Sequence, residues 1–347
     1  MSVDIRQEIL DLPRALRQTF EKGRPEYERL VRQTRWGELP IHIIGSGAAH
    51  AVARAGAIAF ESLCEWPVVV HTVAEFAAYS HATIQPRAVL IVVSEGHDPT
   101  ETIEAMKAAQ ARGAIGLALA GTPQSLLAQA ADGTLPVSAG QDDDSAIRLP
   151  VCQHAALTHF ALVAARVLKR HRPQFDTLEA EFGKLAEHVE WALTQLTPAV
   201  GSLASELARA ENLLVIAGGG YFPAALQGVR VLRRLAGIRS EGLNVAEWPA
   251  PSRGELGKEK TVLVVSGSRC RVKKEIHRWV EQARKAGVRI LCLTDGSEVE
   301  VSRRSDLALL LPTQSELVGS ILALTVLHWI AYHAVQVRTQ NRKTQER

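Results

Sequence analysis

Leu39-Pro40-Ile41-His42-Ile43-Ile44-Gly45-Ser46-Gly47-Ala48-Ala49-His50 decides the fold. A short β-branched run meets a tight glycine turn, and an alanine-rich stretch from Ala48 to Leu63 continues at helical spacing. That order is the first half of a βαβ unit. Working outward, Val68 to Val73, Ala88 to Val93 and Ile115 to Ala120 read as further strands. Their near-continuous apolar character suits parallel strands covered on both faces. Ser94 to Pro99 reads as a polar loop, Thr100 to Ala111 as a helix, and Val151 to Lys169 as a long helix after the exposed Asp142-Asp143-Asp144. The pattern then restarts. Leu213 to Ala217 is a strand, Gly218-Gly219-Gly220 a turn and Pro223 to Leu235 a helix. Thr261 to Val265, Val288 to Leu293 and Leu307 to Leu311 are strands, with a helix from Lys273 to Ala286 and a closing helix from Ser315 to Val337. Strand, glycine turn and helix recur at an offset of about 170 residues, the mark of an internal duplication.

The expected fold is therefore α/β: two doubly wound parallel-sheet domains in tandem, each a three-layer α/β/α sandwich. A chain of 347 residues fits two cores. The expected division is an N-terminal helical segment over 1–36, a first domain over 37–189, a second over 190–337, and a frayed basic tail over 338–347. Between Pro173 and Pro198 only Gly183 interrupts the chain, which predicts a helical joint.

Composition narrows function. Net charge is +3 with 22% charged residues, which lacks the concentrated basic face that nucleic acid requires. Leu317 to Val337 approaches the roughly 20 apolar residues of a membrane span. Ser320, Thr325, His328, His333 and Gln336 dilute it, so a buried helix is expected, and Met1 to Leu16 has no signal-peptide character. A cytoplasmic protein with no membrane partner follows. The four cysteines, Cys64, Cys152, Cys270 and Cys292, have no paired spacing, so neither a metal site nor a disulfide framework is expected.

A strand feeding a glycine turn and a helix N-terminus offers free N–H groups and a positive dipole end to an anion. Nucleotide cofactors fail the same test. A dinucleotide fingerprint needs a third glycine where His50 stands and an acid closing the second strand where Thr72 and Val73 stand; Glu75 is the nearest substitute. No P-loop motif occurs. No cofactor is expected.

Several stretches then resemble a known family, the SIS (sugar isomerase) domain in tandem form, as in the isomerase half of glucosamine-6-phosphate synthase and the fructosamine-phosphate deglycases. Glu8-Ile9-Leu10-Asp11-Leu12-Pro13-Arg14-Ala15-Leu16 resembles the family's opening helix, E-I-x-E-Q-P-x-A-L. Ile43 to Ala48 is similar to its first strand and turn, and Glu75-Phe76 to the S-E-F-R-Y after its second strand. Ser94 to Thr102 stands where the family has S-x-S-G-x-T-x-D-T, and Gly219 to Gly228 resembles G-x-x-x-P-x-A-L-E-G.

The resemblance implies a sugar-phosphate ligand and a homodimer, with hydroxyls and backbone N–H groups of the two first-domain loops holding the phosphate. The corresponding ligand-binding residues are Gly45, Ser46, Gly47, Ala48, Ser94, Glu95, Gly96, His97 and Thr100. Ala48 and Ala49 replace hydroxyl residues. Gly96, His97 and Pro99 replace the loop's serine, glycine and threonine. Each hydrogen bond lost to a charged phosphate is worth about 1.5–3 kcal/mol.

The family base, a glutamate, falls on Arg234, and a guanidinium cannot act as a base. The family ring-opening histidine falls on Ala250, while Glu247 matches the glutamate beside it, and the family's lysine-bearing tail is absent from Gln336 to Arg347. The expected function is binding of a phosphorylated or otherwise anionic sugar derivative, with Arg234 offering a guanidinium fork to the anion and Arg230 and Arg233 on a solvated face. Two alternatives stay open. One is a diverged isomerase or deglycase using Glu95, His97 or Glu247, with His50 and His154 as further acid–base candidates. The other is a structural subunit supporting an active partner.

Overall fold

The computed structural model describes residues 4–34, 36, 39–95, 99–139, 147–170, 174–248 and 261–345. In chain order, α1 (Ile5–Leu10) and α2 (Leu12–Gln33) precede β1 (Ile41–Ile44) and α3 (Ala48–Cys64). β2 (Val68–His71), α4 (Val73–Ala78), β3 (Val89–Val93), α5 (Thr100–Gln110) and β4 (Ile115–Ala120) follow. Then come α6 (Leu126–Ala130), β5 (Gly133–Pro136), α7 (Arg148–Val167), α8 (Phe175–Gln195) and α9 (Thr197–Arg209). The rest is β6 (Leu213–Ala217), α10 (Tyr221–Ala236), β7 (Ser240–Asn244), β8 (Thr261–Val265), α11 (Lys273–Lys285), β9 (Arg289–Asp295), α12 (Val299–Arg304), β10 (Leu307–Leu311) and α13 (Glu316–Gln345).

The chain forms two compact units, Asp11–Ala186 and a second made of Met1–Leu10 with Glu187–Arg347. Each holds a five-stranded sheet, ordered β2-β1-β3-β4-β5 in the first and β7-β6-β8-β9-β10 in the second. Every paired strand is parallel, and the two orders are the same when counted from each unit's first strand. The duplication read from the sequence is thus a duplication of topology.

Alternation along β1 shows how the layers form. Ile44 joins Leu90, Val92, Ala105 and Met106 in a core closed by α4, α5 and α6. Ile43 points the other way, to the Gly56–Leu157 contact where α3 packs on α7. The helices after β1 and β3 therefore cover opposite faces of the sheet, although those two strands are neighbours. Such a reversal opens a crevice beyond the strand ends, the place where open α/β sheets take ligands.

Two readings of the chain's ends are settled differently from one another. In α13 the stretch long and apolar enough to cross a membrane is 83% buried, so it is a core helix here, as expected. The basic tail is corrected: α13 continues through Gln345 instead of fraying after Val337. Arg338 explains why, since its Nε donates to Ala208 O (3.1 Å) and its Nη1 to Ala236 O (3.0 Å) and Gly237 O (2.9 Å). One guanidinium satisfies the orphan carbonyls at the C-terminal ends of α9 and α10.

Candidate functional site

In the first unit the turn after β1 is made of buried Gly45 and exposed Ser46 and Gly47. Gly47 has φ +60° and ψ −122°, a backbone that a side chain would strain, and it sets the first amide of α3 free of the helix ladder. Ala48 donates that N–H to Oε1 of Glu95, which reaches across from the loop after β3. The two loops named by the sequence are thus in direct contact at the crevice. Ser94 is half-buried, and its carbonyl accepts from Nε2 of Gln153 at 2.8 Å. Gln153 belongs to α7 and is only 2% exposed, so a buried amide anchors the loop. Ser94, Pro99, Gly121, Ser125, Leu149 and Gln153 help to line a small, open cleft. Thr100 opens α5 beside it, exposed. Gly96 and His97 lie outside the described residues.

The remaining candidates scatter. His50, in the first turn of α3, faces the β2 side, where it interacts electrostatically with His71 and Glu75. There His42 Nδ1 meets His71 Nε2 at 3.3 Å and Ser80 Oγ meets His71 Nδ1 at 3.2 Å. Burial, and then the neighbouring imidazole, hold His42 below the usual histidine range. Burial also lowers His71, against the opposing pull of Glu75. Thr72 hydrogen bonds hold the Glu75 carboxyl down and close a capping box on α4. His154 sits inside α7, where burial pushes it down to about 4, so it is a neutral imidazole near pH 7. Glu247 is exposed in a turn after β7, and Ala250 lies outside the described residues. Arg234 is on the last turn of α10, as exposed as Arg230 and Arg233. The distinction drawn between them from the sequence has no counterpart in their burial. Among the described residues no cluster of His, Cys, Asp and Glu is arranged to hold a metal ion.

The second unit answers its glycine turn differently. Gly219 has φ +54°, and Gly220 donates its N–H to Oε1 of Glu316 at 2.9 Å. Glu316 is 8% exposed, and the Cys270 thiol also donates to it at 3.3 Å. Burial, and next the adjacent carboxylate, push that thiol well above the usual cysteine range, so it is inert. In the loop after β8, Ser268 N–H and Oγ bond Oδ2 of buried Asp295 at 2.6 and 3.1 Å. Both loops that would receive an anion in this unit are therefore filled by the chain's own carboxylates. Sequence reading missed Glu316 and Asp295.

The SIS domain family model matches residues 39–167 and again residues 206–336. The chain belongs to the SIS domain family. Over 334 residues this tandem SIS protein is 28% identical to the isomerizing glutamine–fructose-6-phosphate aminotransferase of Thermococcus kodakarensis, covering 96% of the chain and 55% of the relative. It is 24% identical over 294 residues to the Agrobacterium fabrum enzyme of the same name, covering 84% of the chain and 48% of that protein. The chain thus spans about half the length of these relatives. Among solved structures, the C-terminal domain of glucosamine-fructose-6-phosphate aminotransferase from Francisella tularensis superimposes with TM-score 0.84 at 16% identity, over 98% of this chain and 97% of that one. Tagatose-6-phosphate ketose/aldose isomerase from Escherichia coli gives 0.76 at 13% identity, over 98% and 94%. At those identities the likeness is one of fold.

Proposed function

We propose that this tandem SIS protein binds a phosphorylated or otherwise anionic sugar derivative at the β1–β3 crevice of its first domain, with the family's isomerase residues replaced. The observation that carries the reading is the contact of the two loops after β1 and β3, where the glycine turn presents the Ala48 amide to Glu95. The Ser94 end of the second loop, anchored by Gln153, in turn lines a cleft shared with the end of β4. Helix N-termini favour anions, and Ser94, Ser125 and Gln153 place polar groups in a mostly apolar lining that suits the face and hydroxyls of a sugar. Arg234 in place of the glutamate base, and Ala250 in place of the ring-opening histidine, support binding over isomerisation. We include in the proposal a cytoplasmic homodimer without nucleic-acid or membrane partners, in keeping with the near-neutral charge and the burial of α13.

Thermal shift against glucosamine 6-phosphate, fructose 6-phosphate and the unphosphorylated sugars tests the reading. A ligand at a hundred times its Kd stabilises by about 2.7 kcal/mol, which raises Tm on the order of 5 °C or more. Ala48→Pro is the matched control. It deletes the amide donor at the first helical position of α3, a place in a helix that accepts proline. The expected result is an intact fold with the ligand shift lost. A shift as large in Ala48→Pro as in the parent protein would remove the α3 turn from the site. Turnover in a coupled aldose–ketose isomerase assay, lost in Glu95→Gln, would favour the diverged-enzyme reading instead.

A further inference from the structure

The duplicated fold presents the same cradle twice, and in both copies a glutamate of the chain itself occupies it. In the second unit Glu316 is buried and fixed by Gly220 N–H and the Cys270 thiol. In the first, Glu95 is exposed to solvent while its carboxylate accepts the Ala48 N–H. A carboxylate on that amide takes the donor that a ligand anion would use. It also places a like charge within a few ångströms of any phosphate entering the turn, where repulsion is weakly screened.

We propose that Glu95 is the specificity-determining residue of the first-domain site. Its carboxylate stands in for the ligand's anionic group at the α3 turn, so a phosphate-bearing sugar binds there only by displacing it. Solvent access makes that displacement feasible for Glu95, whereas Glu316 stays in place. The consequence is a filter on ligand class: a phosphate must displace Glu95 from the Ala48 N–H, so the turn still takes an anion but gains less affinity from it than it would without that carboxylate. The inference rests on the reading of this crevice as the ligand site, and its test separates the two.

Calorimetric titrations of inorganic phosphate, glucosamine 6-phosphate and glucosamine into the full chain, Glu95→Gln and Glu95→Ala give the comparison. Glu95→Ala is expected to bind inorganic phosphate and glucosamine 6-phosphate at least about tenfold more tightly than the parent, with glucosamine unchanged. Glu95→Gln, neutral but still able to accept the Ala48 N–H, should fall between them. Phosphate affinity that is unchanged or weaker in Glu95→Ala, at unaltered Tm, overturns the proposal. A gain for inorganic phosphate with no preference for its sugar ester would uphold Glu95 as the competitor and refute the sugar reading.

Discussion

Lowering the pH from 7 to 5 should strip this protein of several kcal/mol of stability through three histidines. His154 and His159 lie within α7 and His328 within α13, each 3% exposed or less. Burial drives His154 and His159 down to about 4 and His328 to about 3. An unfolded chain titrates its histidines near 6.5. Because the folded values are depressed, the unfolded chain takes up protons first as pH falls, and stability drops below about pH 6.5. Each histidine contributes a slope approaching about 1.4 kcal/mol per pH unit, or about 2 kcal/mol between pH 7 and pH 5. Three together cost about 5–6 kcal/mol, comparable with the whole stability of many domains. Two of the three sit in the first unit, so that unit should melt first in acid. Urea melts at pH 7 and pH 5, followed by fluorescence and circular dichroism, read the effect. His328→Leu should recover about 2 kcal/mol at pH 5. It should also gain at pH 7, since both His328 ring nitrogens are buried without a partner among the described residues. Equal urea midpoints at the two pH values, or a His328→Leu protein that loses stability as steeply as its parent, would refute this reasoning.

Other expectations follow from single contacts. Arg338→Ala should destabilise the second unit by about 1.5–3 kcal/mol, seen as a lower Tm with ligand binding at the first-domain crevice unchanged, because three terminal carbonyls lose their donor. Gly219→Ala should cost about 1–3 kcal/mol in chemical denaturation, since φ is +54° and a Cβ there would lie 2.3 Å from Glu316 Oε1.

The strands that carry the site were legible because they are central. Val89–Val93 and Leu213–Ala217 are buried at every position, so they read as unbroken apolar runs. Two of the four edge strands were not. Ser240–Asn244 reads S-E-G-L-N with one fully buried position, and Gly133–Pro136 ends in proline; each pairs on one side only and needs no apolar run. The glycine turns could be read as turns, but what fills them could not. Glu316 meets Gly220 across 96 residues of sequence, and Glu95 meets Ala48 across 47. Arg338 is a similar case: a charged residue near a terminus reads as solvated until the helix ends it bridges are in place.

Mapping glucosamine 6-phosphate onto the backbone amides by NMR tests the central claim most directly. The account predicts perturbed resonances at Ala48, Ser94 and Thr100, with the Gly219 and Gly220 amides silent behind Glu316. Perturbations centred on Gly218–Gly220, or none in either domain at saturating ligand, would contradict it.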